Sequence, residues 1–238
     1  MDYLFEYITK VIPINLLELL AAIAGTYYLK NNTNTLLVNK YLVYFLWYTF
    51  INELIASYAP IAYFTDYEHF SFVKNTIFSD NVWLYNIYSI ISFSLFVYYF
   101  SYFSSEKKIK RINYFAILIY IIACVLYLLN SGVFFISVSL FTSIIGTFLL
   151  LYSIIRYYLD LLKSDTILDL KKHLPVYISG GVLVFYLSVT PLDIFTHYFN
   201  SDNDIFVSLR TNILLFTNIF MYSTFILGFI ICTKKKAT

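Results

Sequence analysis

Seven long apolar stretches occupy almost the whole chain, at about 11–30, 40–63, 82–104, 112–130, 133–158, 174–198 and 209–232. A helix of ~20 apolar residues crosses a hydrocarbon core roughly 30 Å thick. Inside lipid the backbone must satisfy its own hydrogen bonds, which leaves helices or a closed barrel. Continuous apolar runs of this length select helices. The expected fold is therefore an all-α membrane protein with seven transmembrane helices in a single domain, 1–238. A hydrophobic share of 60% against 13% charged residues leaves little from which to build a soluble catalytic domain. The formal net charge of +2 marks no nucleic-acid surface, because the basic side chains sit at span ends.

The charges also predict an orientation. Of the 16 Lys and Arg residues, only Lys10, Lys74 and Arg210 fall at one set of span ends. The other ends hold Lys30, Lys40, the run Lys107, Lys108, Lys110 and Arg111, then Arg156, Lys163, Lys171, Lys172 and the terminal Lys234, Lys235 and Lys236. The positive-inside rule puts the crowded ends in the cytoplasm, so the N-terminus is expected outside and the C-terminus inside. The Lys107–Arg111 run reads first as a topology anchor, with an anionic-lipid contact as the alternative. Asp2 and Glu6 replace the basic region of a cleaved leader, so the first stretch is expected to stay as a span. Abundant Ile, Phe, Tyr, Asn and Lys fit an AT-rich bacterial genome and hence a bacterial inner membrane. Cys124 and Cys232 lie within or at the inner end of spans, where a disulfide framework is not expected.

Laying spans 1–3 on spans 5–7 reveals a partial repeat. Pro60-Ile61 leads to Phe64-Thr65 and Tyr67; Pro191-Leu192 leads to Phe195-Thr196 and Tyr198 with the same spacing. Ile23-Ala24-Gly25-Thr26-Tyr27 resembles Ile144-Ile145-Gly146-Thr147-Phe148. Asn86-Ile87 and Asn218-Ile219 stand in spans 3 and 7. Span 4 reverses direction, so the two triplets run parallel in a 3+1+3 arrangement of a kind found in transporters. Chance alignment of aromatic-rich helices is the competing explanation.

Ionisable side chains deep in a span are costly and mark function by default. Glu18 lies roughly 10 Å below the outer surface of span 1. Glu53 lies nearer the middle of span 2. Asp193 stands near the outer end of span 6, with His197 one turn on along the same face. Asn52, Asn86, Arg210, Asn212 and Asn218 share the outer half. One outward polar pocket that binds a ligand or proton is the economical reading of these positions. A carboxylate at the depth of Glu53 needs a cation, a donor set or a proton. The alternative is a neutral Glu tying helices together. Pro60 and Pro191 are expected hinges, freeing the carbonyls of Ala56 and Leu187. Gly25, Gly146, Gly180, Gly181 and Gly228 suit close helix packing better than phosphate binding.

Enzyme readings find little support. His69, His173 and His197 cannot meet in one zinc site, because His173 belongs to the inner side. No span core holds a His for a serine protease, and the last span has no Lys for a retinal Schiff base. A Glu18–Glu53 acid–base pair has no supporting motif. No catalytic residue, metal or cofactor is assigned. The 25 Tyr and 24 Phe include interface residues. Deeper ones such as Tyr44, Trp47, Tyr48 and Tyr88 either fill the core or line an aromatic cavity.

Three segments carry a resemblance to a family of uncharacterised seven-span proteins common in Bacteroidetes. Glu53-Leu54-Ile55-Ala56 resembles that family's Thr-Glu-Ile-Ile-Ala stretch. Trp83-Leu84-Tyr85-Asn86-Ile87-Tyr88 resembles its Trp-Leu-Tyr-His-Ile-Tyr, and Ser179-Gly180-Gly181 its Asn-Ser-Gly. The chain departs at Asn86, where the pattern has His, and at Ser92, where it has Glu. The resemblance implies seven spans and no established activity. A fold-level similarity to 3+1+3 repeat sugar transporters matches the topology but lacks their Pro-Gln pair.

The expected function is non-enzymatic: a receptor-like sensor or a subunit of an envelope complex, binding a ligand or partner in its outer half. The alternative is a small-solute transporter with a proton- or cation-linked site at Glu53. Expected partners are the lipid bilayer and either another membrane protein or a second copy, with no nucleic acid.

Overall fold

The computed structural model describes residues 2–196 and 204–233. Its long elements are α1 (Asp2–Asn31), α2 (Leu37–Ala56), α4 (Val82–Tyr102), α5 (Lys107–Ser131), α6 (Leu140–Leu162), α7 (Leu174–Thr196) and α8 (Asp204–Cys232), with a short α3 (Tyr58–Phe64). Three 3-10 segments lie in the connections, and the described residues contain no strand. Six helices, α1 and α4 to α8, are long and apolar enough to cross a membrane. The protein is an integral membrane helix bundle.

The exception is α2, a 20-residue helix that carries Asn39, Lys40, Asn52 and Glu53. Asn39 and Asn52 are buried, while Tyr44, Ile51, Leu54 and Ile55 form its exposed side. Its polarity is therefore turned inward. α2 packs between α1 and α4.

Six helices close a ring in the order α1, α2, α4, α6, α7, α8 and back to α1, and α5 stacks outside against α4 and α6. The face α5 turns away from the ring carries Phe115, Leu118, Ile122 and Leu129, all exposed and apolar. The upper end is taken as the one where α1, α4, α6 and α8 begin, which is the end expected to face outward. The lower half is packed at its centre, where Leu42, Tyr99, Phe100, Tyr157, Ile178 and Phe229 are fully buried. A recess of about 300 Å³ lies at its end beside Tyr28, Asn39, Phe103 and His173.

Glycines permit the closest approaches. A Cβ on Gly146 would stand 2.5 Å from the Phe93 ring, and one on Gly228 would stand 2.6 Å from Tyr177. Gly181 abuts Thr224 and Phe225, whereas Gly180 faces open space. Gly132, at φ 69°, ends α5 in the left-handed region, a common way to stop a helix. The apolar residues that follow form a 3-10 turn, Val133–Phe135, so α6 starts at Leu140 and not near 133. Ser139 sets that start by accepting a hydrogen bond from the Thr142 N–H at 3.2 Å, as N-caps do.

The two expected hinges behave differently. Span 2 breaks at Ser57, where α2 ends and α3 begins. Pro60 has no N–H for the Ala56 carbonyl, and the Asn81 side chain donates to that oxygen instead, at 2.7 Å. Pro191 lies inside α7, which continues through it to Thr196. The matched threonines still behave alike. Thr65 donates to the Ile61 carbonyl and Thr196 to the Leu192 carbonyl, each at 2.7 Å.

Candidate functional site

The upper half of the ring surrounds a recess of about 520 Å³. All six ring helices line it and α5 does not. α1 contributes Tyr7, Asn15 and Glu18; α2 contributes Thr49 and Glu53; α4 contributes Tyr85, Tyr88 and Ser89. Ser143 comes from α6, Thr190 and Asp193 from α7, and Arg210, Asn218 and Tyr222 from α8. Glu18, Glu53, Asp193, Arg210 and Asn218 thus meet around one space.

Their surroundings differ. Glu18 is only 3% exposed, and its Oε2 has no hydrogen-bond partner among the described residues. The Tyr222 side chain faces it. Glu53 is half-buried and accepts a hydrogen bond from the Tyr85 hydroxyl at 3.1 Å. The two carboxylates are close enough to feel each other's charge. Asp193 accepts from the Ser143 hydroxyl at 3.2 Å. The Nε of Arg210 is buried without a hydrogen-bond partner among the described residues. Arg210 precedes Tyr222 by three helical turns or so, which sets their backbones roughly 18 Å apart along α8. At an effective dielectric near 20, unit charges interact by ~1 kcal/mol at that distance against ~4 kcal/mol at 4 Å. Arg210 is therefore a remote charge for Glu18, which Tyr222 faces.

Beneath them lies an aromatic floor. The Phe96 ring centre stands 5.5 Å from that of Phe45, 6.3 Å from Tyr186 and 6.4 Å from Phe225. Phe93 meets Tyr186 at 4.5 Å, and the Tyr186 hydroxyl is bonded to Ser92 at 2.6 Å. A larger groove of about 780 Å³, between α7 and α8, is lined mainly by apolar side chains such as Leu187, Phe195 and Phe216. Its described lining holds no carboxylate.

The remaining expected site residues lie elsewhere. Asn52 is buried on α2, with its Nδ2 unpartnered among the described residues, and does not line the recess. Asn86 is fully buried. It donates to the carbonyls of Phe134 and Ser137 at 3.0 and 3.1 Å and accepts from the Ser139 N–H at 2.9 Å. It thereby fastens the α5–α6 connection to α4. Asn212 and Pro191 line the outer groove, while Pro60 borders the recess. His197 lies outside the described residues. Lys107, Lys108, Lys110 and Arg111 open α5 at the lower end, where cations oppose the helix dipole. Helix stability does not favour them there, whereas a membrane-surface anchor does. The Lys110 ammonium also sits 5.2 Å from the centre of the Tyr102 ring.

Several residues escaped the sequence reading. Tyr85 and Tyr222 contact the glutamates. Tyr85 had a signal, since Tyr85, Tyr88, Ser89 and Ser92 place hydroxyls along one face of α4, whereas Tyr222 had none. Among the deeper aromatics, Tyr88 lines the recess and Tyr44 is exposed. Trp47 donates to the Thr26 hydroxyl at 2.9 Å, and Tyr48 stacks on Tyr88 at 6.1 Å. Asp160 was also missed. It accepts from the Ser104 hydroxyl at 2.8 Å, the Ser105 N–H at 3.1 Å and the Ser105 hydroxyl at 2.9 Å, tying the α4–α5 turn to α6.

No group of three His, Cys, Asp or Glu side chains is placed to hold a metal ion among the described residues. No protein-family model, curated protein or solved structure matches this chain.

Proposed function

We propose that this chain is a non-enzymatic protein of a bacterial inner membrane that binds a ligand in its outer half and acts as a receptor-like sensor or as a subunit of an envelope complex. In this reading α2 with α3 is the seventh span, the N-terminus lies outside and the C-terminus lies in the cytoplasm. The carrying observation is the convergence of Glu18, Glu53, Asp193, Arg210 and Asn218 on one recess above a layer of fully buried residues. The apolar outer side of α2 supports the seventh span. A signal would leave through the lower connections. These touch each other: the Phe103 ring packs on His173 at 5.7 Å, and Arg156 pairs with Glu106 at 3.4 Å.

A second reading, a small-solute transporter with a proton- or cation-linked site at Glu53, draws on the same recess and on the 3+1+3 pattern. It needs the buried layer beneath the recess to open during each cycle.

Two measurements test these readings. An Asn218→Cys variant should react with a membrane-impermeant maleimide added from outside; no reaction would sink both. Mild-detergent purification from the native membrane should then recover a stoichiometric membrane partner. A lone protein whose pH-dependent solute uptake is abolished by Glu53→Gln would favour the transporter.

A further inference from the structure

The geometry points to an amphiphilic organic cation, a protonated or quaternary amine carrying an apolar body, as the ligand of the recess. Its charge would sit between Glu18 and Glu53, and its body would rest on the aromatic floor. This inference rests on the reading of the recess as a ligand site and names the ligand's chemistry.

Four observations converge. Glu18 is 3% exposed and its Oε2 has no hydrogen-bond partner among the described residues, yet it lines the recess. A buried carboxylate oxygen left without a partner is expensive and calls for a cation or a proton. Second, Glu53 adds another carboxylate at the same site, held among the described residues by the Tyr85 hydroxyl at 3.1 Å. Among the described residues, Arg210 is the only Lys or Arg lining the recess, and it stands near the mouth. The deep end therefore holds two carboxyl groups and, among the described residues, no cation. Third, that end is walled by rings. Tyr88 and Tyr222 flank the glutamates, and Phe45, Phe96 and Phe225 lie beneath them. Aromatic faces attract cations and give apolar carbon a surface to cover. Fourth, the space of about 520 Å³ falls within the range of small-molecule sites. A lone proton needs no such volume. A hard metal ion needs six or more oxygen ligands, and no metal-binding group of side chains is present among the described residues.

Charge-selective labelling of a cysteine placed in the recess tests this. The Ser89→Cys variant of the full chain, in lipid nanodiscs, is treated with a trimethylammonium-bearing and a sulfonate-bearing methanethiosulfonate. Both rates are normalised to those of a free small thiol and corrected for the wild-type background of Cys124 and Cys232. The expected result is a normalised preference for the cationic reagent of about 10-fold or more, as focused fields in charged clefts produce. It should fall severalfold in the Glu18→Gln background. Glu53→Gln supplies the same test if Glu18→Gln does not fold. Phenethylammonium should slow the labelling, and phenethyl alcohol at equal concentration should not. Labelling without charge preference, or protection by the alcohol as strong as by the amine, overturns the cation and leaves the ligand site standing. Absence of labelling by either reagent overturns the ligand site itself.

Discussion

The upper and lower halves of this bundle are made by the same helices from the same aromatic-rich alphabet, yet they spend their polar groups differently. In the lower half, polar side chains join helices. Asn39 bridges Tyr28 and Tyr99, each at 3.2 Å. Asn113 donates to Ser101 at 2.8 Å, and Asp160 collects three donors from the α4–α5 turn. In the upper half, Glu18, Glu53 and Arg210 line a recess, with Glu53 bonded to Tyr85 and Glu18 facing Tyr222. Buried polar groups that bond across helices hold a membrane protein together. Those that face a cavity are kept for another purpose. Polar groups join helices in the lower half, while several in the upper half line the recess.

Substitutions can break this division. The largest effect is expected from Phe100→Ala in the lower half, which should cost about 3–5 kcal/mol, the usual range for truncating a buried Phe. Tyr222→Phe in the upper half should cost less than about 1.5 kcal/mol, the usual worth of one hydrogen bond. Reversible unfolding in mixed detergent would measure both, and equal costs would end the comparison. Asp160→Ala should come next, at about 1–3 kcal/mol, because it leaves the Ser105 N–H and two hydroxyls without their acceptor. Gly181→Ala should follow at roughly 1–3 kcal/mol from overpacking, while its neighbour Gly180→Ala should stay within about 0.5 kcal/mol. Matched stability losses at the two glycines would contradict the packing of α7 on α8.

Two smaller effects sharpen the contrast. Glu53→Gln should leave the unfolding midpoint nearly unchanged while removing ligand binding, read by labelling protection at Ser89→Cys. Acid should weaken the lower half first. His173 stacks on Tyr157 at 6.0 Å, and burial lowers its pKa from the ordinary His value. The folded state thus binds this proton less readily than the unfolded one. The stabilisation is full above the unfolded value, near 6.5, and is lost as pH falls from there toward the lower folded value. Midpoints at pH 7.5 and 5.5 should therefore differ less in His173→Asn than in the wild type.

Much of the architecture was legible because lipid imposes simple rules. Apolar length marked six of the long helices, and Lys107–Arg111 marked one end of α5. What escaped was local. The run after Gly132 is as apolar as a span, but it folds as a turn because Asn86 claims its carbonyls from α4. A fully buried amide serving a distant loop has no one-dimensional signature. Glu18, Glu53 and Asp193 stood out because charge is rare in apolar sequence. Tyr85 and Tyr222, which face those charges, were hidden among many tyrosines. The paired prolines show the limit most plainly. Identical spacing gave a break at Ser57, where the Asn81 side chain donates to the released Ala56 carbonyl, and an unbroken α7.

The Phe45–Phe96–Phe225 floor also shapes the electric field. A recess filled with water above a dry aromatic plug would conduct, so a membrane voltage would not fall evenly through the bundle. Nearly all of it would drop across the plug and the packed residues beneath. A charge settling beside Glu18 crosses little of that voltage, and its affinity should be almost blind to membrane potential. A charge passing Phe96 meets almost the whole drop, at ~2.3 kcal/mol per elementary charge for each 100 mV. The ring of phenylalanines is, in that sense, the dielectric of a small capacitor.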